Sequence, residues 1–193
     1  MSDAHTEPLL PADLTAQIQA TFQHHADWPK PGVTFVDALP LFQHPELVDR
    51  ALAGIAAQYT GQVDAVAALD ARGFLLGPGI AKHLDVPFIA VRKAGKLPGE
   101  CVRCSYDLEY GSATIELQKS AMAAASTAAG SGKPARVLLV DDLLATGGTL
   151  AAAVQCVEAA GGQAVAAAVL CELPVLGGRA KLGQVPVRTV VTL

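Results

Sequence analysis

The stretch that decides the fold reads VLLVDDLLATGGTL over residues 137–150. Four apolar residues, Val137 to Val140, precede two adjacent carboxylates, Asp141 and Asp142, and a short Thr/Gly turn follows. Beyond the turn, Leu150, Ala153, Val154 and Val157 recur at helical spacing. A wholly apolar strand that enters a helix through a polar turn is the repeating unit of a parallel sheet covered on both faces. Ligands of such open sheets bind outside the carboxyl ends of the strands, where this stretch puts its polar groups.

The alternation extends in both directions. Apolar runs at 63–69, 86–91 and 163–170 read as strands, and 75–84 and 150–160 as helices between them. Upstream, Val48, Ala51, Leu52 and Ile55 fit one helix face between Pro45 and Gly61. Leu14, Ile18 and Phe22 fit a shorter face that the Trp28-Pro29-Lys30-Pro31-Gly32 segment ends. The expected architecture is α/β: a parallel sheet flanked by helices, in one domain spanning 1–193. A small hood is expected mainly in residues 1–40, a mobile loop at about 93–105, and a hairpin turning at Gly111. The Ala/Ser/Gly-rich residues 121–133 begin as a helix and end as a flexible connection.

Composition narrows the function classes. With 14 Lys+Arg against 18 Asp+Glu the formal charge is −4, the wrong sign for a general nucleic-acid binder. Hydrophobic residues make up 51% of the chain, enough for a sizeable core and against disorder as the main state. The longest apolar stretch, residues 164–171, is too short to span a bilayer, and the N-terminus lacks the basic and apolar regions of a signal peptide. Four cysteines are too few for a disulfide scaffold at this length, so a cytoplasmic, reducing location is expected.

The turn after Asp142 offers the Thr146 and Thr149 hydroxyls, the backbone N–H groups of Gly147 and Gly148, and the positive end of a helix dipole. These suit an anion. The GxxxxGK pattern is absent, so a single terminal phosphate fits better than a triphosphate. Asp141 and Asp142 would repel each other without partners, and a vicinal diol that donates to both is a natural one. Phosphate plus diol describes ribose 5-phosphate. A second strand end carries Asp70-Ala71-Arg72-Gly73, either a guanidinium fork for phosphate or a surface ion pair between Asp70 and Arg72. A third, Arg92-Lys93-Ala94-Gly95-Lys96, would meet the others on one rim and suits a polyanion such as pyrophosphate.

These residues resemble the type I phosphoribosyltransferases, and within them the members that act on adenine. The resemblance covers residues 27–190 and rests on PGVTFVD at 31–37, DARGFLLGP at 70–78, RKAGKLPG at 92–99, YDLEYG at 106–111 and the acidic-turn stretch at 141–149. It implies transfer of the phosphoribosyl group of 5-phosphoribosyl 1-diphosphate (PRPP) to adenine, giving AMP and pyrophosphate, with Mg²⁺ bound through PRPP rather than by a firm set of protein ligands. It implies that Asp141 and Asp142 hold the ribose hydroxyls and that Ala145, Thr146, Gly147, Gly148 and Thr149 cradle the 5′-phosphate. Asp70, Ala71, Arg72, Arg92, Lys93 and Lys96 would surround the pyrophosphate. Phe35 would stack on the purine, with backbone groups of Val33, Thr34 and Val36 reading its edge. Relatives that use 6-oxopurines usually carry an acid where this chain has Ala145, so proton transfer at the base falls to Glu109. The family also implies a homodimer with small-molecule substrates and no nucleic-acid or membrane partner. The rivals are an enzyme for another purine base and a PRPP-binding regulator.

Cys101-Val102-Arg103-Cys104 invites a zinc or redox reading. No second CxxC completes a structural zinc site, and the five histidines show no spacing that would. Oxidative joining of Cys101 to Cys104 would stiffen the loop they sit in.

Overall fold

The computed structural model describes residues 8–108, 111–130 and 132–193. In chain order its elements are α1 (Ala12–Gln19), β1 (Gln23–His25), β2 (Phe35–Asp37), α2 (Pro45–Ala57), β3 (Ala65–Leu69), α3 (Gly77–Leu84), β4 (Phe88–Lys93), β5 (Cys101–Leu108), β6 (Gly111–Gln118), α4 (Lys119–Ala128), β7 (Arg136–Leu144), α5 (Gly148–Ala159), β8 (Gln163–Glu172) and β9 (Val187–Thr192). Strands β3 and β7 are apolar on both faces because both faces are covered. Val66, Ala68, Leu138 and Val140 enter the core beneath α1, α2 and α3, while Ala65, Ala67, Val137 and Leu139 enter the core beneath α4 and α5.

The main sheet has seven strands in the order β5-β6-β4-β3-β7-β8-β9. From β4 to β9 neighbours run parallel, but β5 and β6 are antiparallel to each other, and β6 is antiparallel to β4. The sheet is therefore mixed rather than wholly parallel. Only residues 109 and 110 separate β5 from β6, and a parallel pair would need a crossover of a dozen residues or more.

Other boundaries move for local reasons. The loop expected at 93–105 shrinks to residues 94–100, since Lys93 pairs with Ile115 and Cys101–Leu108 pairs along its whole length with β6. Strand β7 continues through both carboxylates, with Asp141 opposite Val169 and Leu144 opposite Glu172. The helix expected at 75–84 divides into a 3₁₀ turn, Arg72–Leu75, and α3. Sequence periodicity missed β9 and the short β1–β2 pair. Leu14 and Ile18 of α1 join the main core beside Leu52 and Ile55, and so does Phe22, although the helix ends at Gln19 and Phe22 reaches the core from the connection that follows. The β1–β2 hairpin projects from that core, and its turn is closed by Trp28 N–H donating to Val33 C=O at 3.1 Å and Gly32 N–H donating to the Asp27 carboxylate at 2.7 Å. Cys101 and Cys104 lie three apart on β5, so their side chains leave opposite faces of the strand. That geometry removes the intrastrand disulfide.

Candidate active site

Three polar clusters occupy the carboxyl ends of β3, β4 and β7. Here the strand order reverses: the chain passes from β3 outward to β4, and after the hairpin returns to the other side of β3 as β7. Such a switch point opens a crevice.

The acidic pair sits inside that crevice. Asp141 Oδ1 accepts from the Asp142 N–H at 2.9 Å, and Asp142 Oδ2 lies 2.8 Å from Arg72 Nη1. Burial pushes the Asp141 carboxyl well above the usual carboxylate range, and the charge on Asp142 adds to the effect. Burial also raises Asp142, while Arg72 pulls it back. Gly73 is needed for this packing: a Cβ there would fall 2.8 Å from Val140 C=O and 3.1 Å from Asp141 Oδ1. The glycine lets the turn after β3 lie against the end of β7.

Leu144 leads directly into the turn, and residues 145–149 line a cavity of about 70 Å³ together with Asp141 and the start of α5. That is room for roughly two waters, so the turn admits a small anion rather than a nucleotide. Gly147 precedes α5 with φ of +76°, a conformation that would strain any other residue.

At the third strand end, Arg92 Nε donates to Asp70 Oδ2 at 3.0 Å, and Arg92 Nη1 lies 3.4 Å from Lys96 C=O. The ion pair considered between Asp70 and Arg72 does not form: Asp70 takes Arg92, and Arg72 takes Asp142. The Asp70–Ala71 peptide is cis. Lys93 and Lys96 are exposed. The loop that carries Lys96 is fastened from below by Glu116, a fully buried residue that sequence reading left unassigned. Its Oε1 accepts from the Lys96 and Leu97 N–H groups at 2.8 Å each, and its Oε2 pairs with Arg103 Nε at 3.0 Å. Burial acts to raise the Glu116 carboxyl, but these donors together with the Gly95 amide outweigh it and bring the pKa down to about 2.

The hood completes the rim. His25, Trp28, Phe35, Asp37, Leu39 and Arg72 line a cavity of about 490 Å³, within the usual size for small-molecule pockets. Trp28 and Phe35 meet edge-on with ring centroids 4.4 Å apart, and the Arg72 guanidinium stands 5.7 Å from the centre of the Phe35 ring. Arg72 thus faces the acidic pair and the hood at once, whereas Arg92, Lys93 and Lys96 sit together at the end of β4. Val33 is exposed in the hairpin turn, and Val36 packs against the core. His25 and Trp28 escaped the sequence reading as site residues, and Asp37 entered it only as the end of the 31–37 motif, with no role assigned. The hint at Trp28 was a lone tryptophan in a Pro/Gly segment. Glu109 lies outside the described residues. Among the described residues no group of three or more His, Cys, Asp or Glu side chains could hold a metal ion.

Comparison with known proteins agrees with this geometry. Residues 39–183 match the phosphoribosyl transferase domain. The adenine phosphoribosyltransferase of Thermobifida fusca is 43% identical over 182 residues, covering 94% of this chain and 98% of that protein. The enzyme of the same name from Caenorhabditis elegans is 44% identical over 183 residues, covering 91% and 94%. The crystal structure of adenine phosphoribosyltransferase from Saccharomyces cerevisiae, complexed with an imino-altritol bisphosphate and adenine, superposes with a TM-score of 0.84 at 35% identity over 93% of this chain and 99% of that one. With its crevice at the switch point, the matched domain and these relatives, the chain belongs to the adenine phosphoribosyltransferases of the phosphoribosyl transferase domain family.

Proposed function

We infer that this chain transfers the 5-phosphoribosyl group of PRPP to adenine, forming AMP and releasing pyrophosphate in purine salvage. The observation that carries the reading is the alignment of a turn with room for one small anion, a half-buried acidic pair and an aromatic cavity along one rim, with Arg72 touching the last two.

In this reading Ala145, Thr146, Gly147, Gly148 and Thr149 hold the 5′-phosphate, and Asp141 and Asp142 accept hydrogen bonds from the ribose hydroxyls. Arg92, Lys93 and Lys96, with Asp70 and Ala71 at the neighbouring strand end, take the pyrophosphate. Arg72 spans the ribose and base subsites. Adenine enters the hood cavity against Phe35, with Val33, Thr34 and Val36 offering backbone groups to its edge. Its N9 attacks C1 of PRPP, the C1–O bond breaks with its electron pair leaving on pyrophosphate, and the N9 proton passes to the Glu109 carboxylate. The protein's contribution is positioning and charge stabilisation of a cationic sugar and an anionic leaving group.

Mg²⁺ would be held through PRPP's own oxygens, and it would neutralise charge on the pyrophosphate. The residues present fit that mode, because Mg²⁺ commonly takes one or two carboxylates plus substrate phosphates, and among the described residues the adjacent carboxylate pair in the crevice is already engaged with Arg72 and a backbone amide. A homodimer, as the family resemblance implies, would cover exposed apolar side chains such as Leu75 and Phe88, which are 45% and 37% exposed. A cytoplasmic location agrees with four free cysteines, and among the described residues no helix is long and apolar enough to cross a membrane.

The deciding experiment is pyrophosphate release from PRPP and Mg²⁺ with a panel of bases. Turnover with adenine alone is the expected result. Faster turnover with hypoxanthine, guanine or xanthine would replace the substrate, and none with any base would replace the activity.

A further inference from the structure

The phosphate turn does not stand alone: a second backbone segment supports it from behind. Gly147 and Gly178 are packed so closely that a Cβ on Gly147 would run into the Gly178 carbonyl oxygen, and a Cβ on Gly178 into the Ala145 carbonyl oxygen. Two peptide segments therefore touch with no side chain between them, and the position of one fixes the other. The 177–179 segment is anchored in turn by Arg179. Its Nε and Nη2 donate to Glu172 Oε1 and Oε2 at 2.7 and 2.6 Å, and its Nη1 donates to Val187 C=O. Glu172 is 5% exposed, ends β8, and sits opposite Leu144, the residue that enters the turn. The Leu173 N–H closes the same corner by donating to Leu144 C=O at 3.0 Å.

We propose that Arg179 and Glu172 are positioning residues for 5′-phosphate binding, acting through Gly178 on the backbone of the Gly147 turn. The proposal rests on reading that turn as the phosphate subsite. Anion binding by backbone N–H groups depends on their common aim, which a displacement of the supporting segment would spoil. Only a planar fork spans both carboxylate oxygens and the β9 carbonyl together, so lysine cannot replace Arg179 here.

The test is calorimetric titration of the full chain with ribose 5-phosphate and, separately, with Mg²⁺-pyrophosphate. Five proteins are compared: the unaltered chain, Arg179→Lys, Glu172→Gln, the double variant of these two, and Thr149→Val as a direct lesion of the turn. Each positioning variant should raise the ribose 5-phosphate Kd about tenfold and leave the pyrophosphate Kd within about twofold. In steady state, KM for PRPP should rise by a similar factor with kcat changed much less. The double variant should lose no more than the worse single one, because both act through one contact. Should Arg179→Lys fail to fold, the near-isosteric Glu172→Gln carries the same comparison. Normal ribose 5-phosphate binding in both variants, with weakening in Thr149→Val, overturns the positioning role and leaves the subsite intact. Normal binding in Thr149→Val as well overturns the subsite, and the proposal with it. Equal loss of both ligands also overturns it, since that is general loosening.

Discussion

Asp141 carries two opposed demands in one side chain. Burial and the neighbouring Asp142 raise its pKa, so the folded protein favours the protonated acid more than the unfolded chain does. The stability it contributes is present below the unfolded value of about 3.9 and is lost as pH rises through the raised folded value. At neutral pH the ionised group destabilises the unliganded protein. Asp141→Asn should therefore raise Tm by a few degrees at pH 7, on a scale of roughly 2–4 °C per kcal/mol for a chain this long, and weaken PRPP binding at least tenfold. Differential scanning calorimetry and a PRPP titration read the two effects, and a lower Tm in the variant would refute the account. Glu109 is the other residue-scale test: Glu109→Gln should lower kcat about a hundredfold with PRPP affinity unchanged, as measured by steady-state kinetics.

At the scale of elements, the connection from β4 to β5 is held by one buried carboxylate. Glu116 accepts from consecutive amides of the 94–100 loop and pairs with Arg103 on the adjoining strand. Its pKa is depressed to about 2, so its contribution is present above the unfolded value of about 4.3 and disappears as pH falls from there toward 2. Glu116→Gln should flatten the acid limb of the Tm–pH curve over that window and speed amide exchange at Lys96 and Leu97, read by hydrogen–deuterium exchange. The loop shows where sequence reading stops. Arg92, Lys93 and Lys96 advertise themselves as a basic run, but the carboxylate that fastens the Lys96 part of it lies twenty residues beyond Lys96, inside an alternating strand with no local mark. Val137 to Thr149 was legible because one short segment contains strand, acids, turn and helix. The pairings Arg72–Asp142 and Arg179–Glu172 were not, because they join different elements and no periodicity encodes them. Strand β9 escaped because Arg188 and Thr189 interrupt its apolar run, as befits an edge strand with half-buried positions.

For the whole molecule, the crevice lies at one end of the sheet and a separate brace at the other. Arg136 donates from its backbone N–H and its guanidinium to both oxygens of Asp64, at 2.7 to 2.9 Å, and from Nη1 to Gly61 C=O at 3.0 Å, tying the amino end of β7 to the approach to β3. Arg136→Ala should lower Tm while leaving kcat and KM unchanged, because the substrate end of those strands is untouched. A kinetic change equal to the thermal one would show that the two ends are coupled.

The four thiols divide the same way. Cys101 and Cys104 are partly accessible on the hairpin, whereas Cys156 and Cys171 are shut into the interior, where burial also raises their pKa values and suppresses the reactive thiolate. An alkylating reagent should thus modify two sulfurs promptly and the other two only as the interior opens. The slow phase would time the opening of the native state without any engineered probe.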